Sequence, residues 1–342
     1  MKITNGYVDK NLAVVNVLRF GRGLPLLFFG DIIMRFLLVF VILSFHFGEA
    51  FACAACGCML SKDWQIQGMG NGPGLTMGLA YDTVDQNQMR SGFGRVNSFS
   101  LPNVQEIEML TNTSFTTLIA DYQGSSWGVN MQLPYIQRYH LTYPAGATSL
   151  DSSDSKSLGD GRILGRYTGF SKDGNNGIFL GMKLPTGPTN VNFASGSPLD
   201  ASLQPGTGST DLLFGGFQEG QIDRFRLGWF VQGLLQHAVS TRNSYRPGDA
   251  FNVNAGIRYG KFGQSITPML QINFIKRIAD SGYNATPLIT GGELAYLAPG
   301  ISVRLGGGTS AFAFIQLPIY QYVQGIQLIP TKILSTGVMH AF

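Results

Sequence analysis

Charge is what this chain has least of. Only 13% of its 342 residues are Asp, Glu, Lys or Arg, about half the share of an ordinary soluble domain. It has three cysteines, Cys53, Cys56 and Cys58, and none after them. A paired C-x-x-C…C-x-x-C zinc site is therefore excluded. No Lys/Arg-rich run is present and the formal net charge is only +4, which argues against nucleic acid as a partner. Beyond residue 52 no long apolar run occurs, so nothing there supplies the roughly 20 residues of a spanning helix. Low charge without a disorder-prone composition leaves a protein that faces lipid by another route.

An export signal is present. Residues 34–52 read MRFLLVFVILSFHFGEAFA: a Met and an Arg, an apolar run from Phe36 to Phe47, then Ala50-Phe51-Ala52. This is the three-part pattern of a secretory signal, with cleavage expected before Cys53. Met34 reads as its start; the alternative is one long signal from Met1. The apolar run is too short for a helical anchor. The expected division is 1–52 leader and signal peptide, 53–73 a Cys-containing periplasmic segment, and 74–342 the folded domain. Without 1–52 the chain carries 19 basic and 17 acidic residues.

The domain has period two. In WGVNMQLPY, Trp127, Val129, Met131, Leu133 and Tyr135 alternate with Gly128, Asn130, Gln132 and Pro134. FNVNAGIRYG alternates in the same way from Phe251, and RFRLGWFVQGLLQ does so from Phe225, with Phe230 out of phase. Such alternation marks strands with one apolar and one polar face. Their length suits a tilted bilayer crossing of roughly 9–11 residues. Twelve strands are predicted, over 74–86, 107–122, 126–140, 158–171, 175–187, 209–218, 224–240, 250–260, 264–278, 292–305, 309–321 and 329–342. Long and short connections alternate between them, as in bacterial outer-membrane barrels. Lipid also demands closure, because an open sheet edge leaves backbone groups unpaired. The expected fold is an all-β, transmembrane antiparallel barrel in the outer membrane of a Gram-negative bacterium, with both termini periplasmic. The last strand, ending in Phe342, is expected to meet the barrel-assembly machinery, and the outer face to meet membrane lipid.

Three phrases carry a resemblance: LGDGRILGRYTGF (158–170), GIFLGMKLPTG (177–187) and LQPGTGSTDLLFGGF (203–217). In this order they resemble the outer-membrane protein family named for the phenol-degradation meta pathway. More distantly, the chain resembles the long-chain fatty-acid transporter barrels. The resemblance implies a channel that passes small, often hydrophobic, solutes by diffusion and is not an enzyme. The 53–73 segment is too short for the hatch domain of the fatty-acid transporters. The local reading of the phrases is glycine at strand starts, where sharp turns are needed.

If the apolar face meets lipid, the other face lines the lumen. That phasing puts Arg138, Arg162, Arg166, Lys183, Arg224, Arg226, Arg258 and Arg304 inside, with few acids beside them, Asp160 the clearest. A ring of guanidinium groups favours anions; the alternative is that these cations pair with carboxylates and fill the lumen. Trp127, Tyr135, Tyr139, Trp229, Tyr259, Tyr296, Tyr320 and Tyr322 are expected in interfacial girdles. Loop 141–157 is expected to be a solvated loop, and 87–106, 141–157 and 188–208 to fold over the mouth. His140 or His237, beside Ser240 or Asp160, has no nucleophile or oxyanion signature around it. For Cys53, Cys56 and Cys58 four readings stay open: lipidation of Cys53, a periplasmic disulfide, a Cu or Zn site of soft thiolates, or a processed N-terminus with no further role. The metal reading makes the barrel an anchor for a periplasm-facing metal-binding or redox protein. A third reading is a structural barrel with a plugged lumen.

Overall fold

The computed structural model describes residues 61–64, 67, 69, 72–98, 106–260 and 265–342. The leader, its cleavage point and the three cysteines lie outside them. The strands are β1 (Gly74–Gly92), β2 (Gly94–Arg95), β3 (Ile107–Gln123), β4 (Trp127–Tyr143), β5 (Asp151–Leu158), β6 (Gly161–Tyr167), β7 (Asn176–Leu184), β8 (Thr210–Ile222), β9 (Leu227–Ser240), β10 (Ala250–Tyr259), β11 (Ile266–Arg277), β12 (Gly292–Gly306) and β13 (Thr309–Ala341). Each pairs antiparallel with its neighbour, and β13 pairs β1 to close the ring, from Thr76↔Ala341 to Gly92↔Val323. Both ends of the barrel domain therefore lie at one rim, with the short turns.

The wall has twelve staves. β2 is a two-residue flap on β1. β5 and β6 both pair with β4 and form one stave broken at 159–160. At about 3.3 Å per residue the 33 residues of β13 exceed any barrel height. Instead the strand reverses at Gly325, whose φ is +58°. Residues 309–323 pair with β12 and 323–341 with β1. Ala341 N–H donates to the Gly308 carbonyl at 3.0 Å, and Thr309 Oγ1 lies 2.9 Å from His340 Nδ1, so the two halves form a hairpin.

The pleat sorts the side chains as the alternation requires. Leu75, Met77, Leu79 and Tyr81 of β1 are exposed on the outer wall, whereas Ala80, Asp82, Val84 and Gln86 are buried inside. Three predictions are corrected. Loop 141–157 is not wholly a loop, because Asp151–Leu158 forms β5 on the upper part of β4; its Ser-rich strand lacks the apolar alternation that marked the others. Tyr296 is not in a girdle but fully buried inside, with Val84, Phe115 and Ile329. The inner face is also less polar than expected. A second apolar cluster surrounds Trp64 and Phe312, and a third joins Leu164, Phe179, Leu213, Phe217 and Phe230.

Candidate functional site

The interior is a chamber between two inserted segments. At the short-turn end the described residues before β1 fold into the lumen. They make a tight turn, with Met69 N–H donating to the Trp64 carbonyl at 3.0 Å and Gln67 Nε2 to the Ser61 carbonyl at 2.6 Å. The wall grips this plug from several sides. Lys62 pairs with Asp82 of β1 at 2.5 Å, and Asp63 with Arg166 of β6 at 2.5 Å. Gln67 accepts a hydrogen bond from Gln271 of β11 at 3.0 Å. The Trp64 ring, 4% exposed, meets Phe312 edge-on with centroids 5.5 Å apart. Gly78 makes room for it, since a Cβ there would collide with the indole. The segment is too short for the hatch domain of the fatty-acid transporters, as its length implied. A single turn suffices, because its anchors come from the wall rather than from a domain of its own.

At the long-loop end, segment 188–208 dips into the lumen and buries Leu199 and Leu203. Gln204 ties it to itself, donating to the carbonyls of Val191 at 2.9 Å and Leu199 at 2.7 Å. Arg138 of β4 donates to the carbonyls of Leu203 and Gln204 and, at 3.1 Å, to Thr113. The root of this loop is where the three quoted phrases meet. Asp160 accepts from Gly187 N–H at 3.1 Å and from Thr207 N–H at 2.9 Å. Lys183 lies 3.2 Å from Asp160 and 3.0 Å from Asp211 and donates to Thr207 and Ser209. Thr186 Oγ1 bridges the Gly159 carbonyl and Gly161 N–H, at 2.7 and 2.8 Å. Gly187 and Gly206 pack backbone against backbone with no room for a Cβ. Read locally, the phrases are strand starts; together they form one buried clamp. Their order in the sequence held this signal, but only the sheet register brings them into contact.

Between plug and loop lies a cavity of about 220 Å³. One part of its lining is apolar, with Phe115, Ile136, Leu164, Phe179 and Leu234; another is amide, with Gln132, Gln232, Gln236, Asn252 and Asn254. The Gln232 side-chain oxygen is buried with no hydrogen-bond partner in the protein.

The predicted lumen cations divide. Arg138, Arg162, Arg166, Lys183 and Arg258 sit on the inner face. Arg166, 3% exposed, is held by Asp63, by both oxygens of Asp121 at 2.7 and 2.9 Å, and by Gln123 at 2.9 Å. Arg258 lies 3.5 Å from Glu219, and Arg162 donates to Gln236 at 3.4 Å. Arg224 and Arg226 are corrected: they are exposed in the turn between β8 and β9. There Arg226 takes a left-handed conformation, φ +51°, and Arg224 sits over the Phe225 ring at 5.5 Å. Arg304 is also exposed, at the short-turn rim. The expected shortage of acids is corrected too, because Asp63, Asp82, Asp121, Asp211 and Glu219 join Asp160 inside. These inward acids are scattered before β1, along β1, β3 and β8 and in the break at 159–160, where no local pattern groups them.

Of the histidines, His237 faces Asp249 at 2.8 Å and Arg246 at 3.3 Å rather than Ser240 or Asp160. His140 is buried against Thr111. Among the described residues, no His/Cys/Asp/Glu group is arranged to hold a metal ion.

Among solved structures the chain is similar to the COG4313 outer membrane channel from Pseudomonas putida F1, with a TM-score of 0.59 at 10% identity over 83% of this chain and 100% of that one. It also matches the transport unit of the autotransporter AIDA-I from Escherichia coli (TM-score 0.48, 9% identity, 83% and 93% covered). A third match is the P. putida toluene transporter TodX (TM-score 0.42, 9% identity, 85% and 93% covered). No family model matches the chain, and no curated protein matches it. The fold is that of a Gram-negative outer-membrane barrel, and its apolar outer wall suits that place.

Proposed function

We propose that this barrel is a channel for small, uncharged, partly apolar solutes, with the chamber as its waypoint and the plug residues 61–64, 67 and 69 as its gate. The observation that carries this reading is the cavity between plug and loop. It offers apolar walls for a solute body and a lining of amides, with the unpartnered Gln232 oxygen among them, for its polar groups. The expectation of an anion filter gives way, because Arg166, Lys183 and Arg258 spend their charge on internal carboxylates. The three phrases add the resemblance to the phenol-degradation family. In this chain they form the clamp that holds loop 188–208.

The plug's buried ion pairs favour a second reading, a barrel sealed for good. Proteoliposome swelling separates the two. With the full chain reconstituted, a channel admits neutral solutes up to roughly the cavity's size faster than charged analogues of equal mass. No swelling with any solute, in wild type and in plug variants alike, overturns the channel reading.

A further inference from the structure

Loop 188–208 meets the wall at a second polar cluster, one that the channel reading does not use. Glu106, Glu108 and Asp200 line one small cavity of about 30 Å³. His140 of β4 stands beside them and is fully buried. Its Nδ1 is 2.8 Å from Thr111 Oγ1. Its Nε2 faces Glu106 Oε1 at 3.6 Å, beyond hydrogen-bond length, and neither atom has another hydrogen-bond partner. Phe193, from the loop itself, covers the imidazole with centroids 5.9 Å apart. Among the described residues the other faces of the cavity are neutral: Met89 from β1, Thr286 and Thr290 from the 286–290 turn, and Ile326 and Gln327 from β13. Arg138, two residues from His140 on the same face, is engaged with the Leu203 and Gln204 carbonyls.

Three half-buried carboxyl groups that face one small cavity cannot all ionise without cost. Burial pushes the Asp200 carboxyl above its usual range, Glu106 adds to the push, and His140 opposes it. An acid whose docked-state pKa is raised binds its proton more tightly docked than free. Docking is therefore most favoured below the free Asp value of about 4 and weakens as pH rises through the docked-state value.

We propose that loop 188–208 is an acid-closed lid, latched where its Asp200 packs beside Glu106 and Glu108 of the wall. Its effect on solute flow rests on the channel reading; its docking does not. Hydrogen exchange on the full chain tests the docking. The reporters are the loop amides of Ala194, Leu199 and Gly206, which donate to Ser152, Val191 and Pro188. Corrected for intrinsic exchange, their protection falls as pH rises from below the free Asp value of about 4 toward pH 8, by up to about tenfold for each unit by which docking raises the Asp200 carboxyl. Bilayer conductance rises over the same range. Asp200→Asn removes the loop's titrating group, so its protection no longer falls over this range, and Glu106→Gln, an independent variant at the rim, removes part of the push on Asp200 and flattens the fall. Constant protection in wild type, or variants that follow wild type, overturns the lid. Protection that changes with pH beside zero conductance at every pH leaves the lid standing and counts against the channel reading.

Discussion

Arg166 holds two carboxylates and an amide in a space closed to water, and its removal exposes what such a group does. Desolvating a charge costs several kcal/mol unless partners repay it, and here Asp63 and Asp121 do so with hydrogen bonds of 2.5 to 2.9 Å. Arg166→Met leaves both acids buried without their cation. The expected loss is about 3–5 kcal/mol, seen as a lower urea midpoint of the detergent-folded barrel. Asp63→Asn removes only the plug's partner, so it leaves the wall midpoint near wild type while loosening the plug. The inward Arg166 was legible from strand phase alone. Its partners were not: Asp121 sits 45 residues away and Asp63 precedes the first strand. Phase tells which way a side chain points, whereas an ion pair depends on the register between strands.

Strands were the most legible elements, because lipid on one side enforces a strict alternation over nine or more residues. The plug was the least legible. Its residues 61–64 form no strand or helix, and Trp64 standing alone in a polar stretch carries no period. Its complement lies in glycine: Gly78 faces the indole, and a Cβ there is barred by Trp64. This gives a prediction for the element. Gly78→Ala forces the indole out of its seat and raises the swelling rate of proteoliposomes while the barrel stays folded. Adding Trp64→Ala to it yields no further opening, since the two changes break one interaction and are not additive. A Gly78→Ala barrel that swells no faster than wild type sinks the assignment of Trp64 as the seal.

For the whole molecule, the chief lumen cations, Arg166, Lys183 and Arg258, face carboxylates within the lumen. Paired charges cast little field beyond a Debye length of about 8 Å at physiological salt. The pore is therefore expected to discriminate poorly by sign. In a planar bilayer with a tenfold KCl gradient the reversal potential should lie close to zero. A strong anion preference would restore the guanidinium-ring expectation and defeat the present account of the lumen. The closed ring, the strand number and the shared rim of both ends were all legible from loop rhythm. The contents of the ring were not, since rhythm describes the wall and says nothing of what the wall encloses.

The seam between β1 and β13 joins the first strand of the barrel to the last, so the cylinder has no complete circumference until the final residues pair. The plug is made earlier in the chain than any stave. Its anchors, Asp82, Arg166, Gln271 and Phe312, stand on β1, β6, β11 and β13. One turn therefore ties together staves on both sides of the seam, as a hub ties the spokes of a wheel.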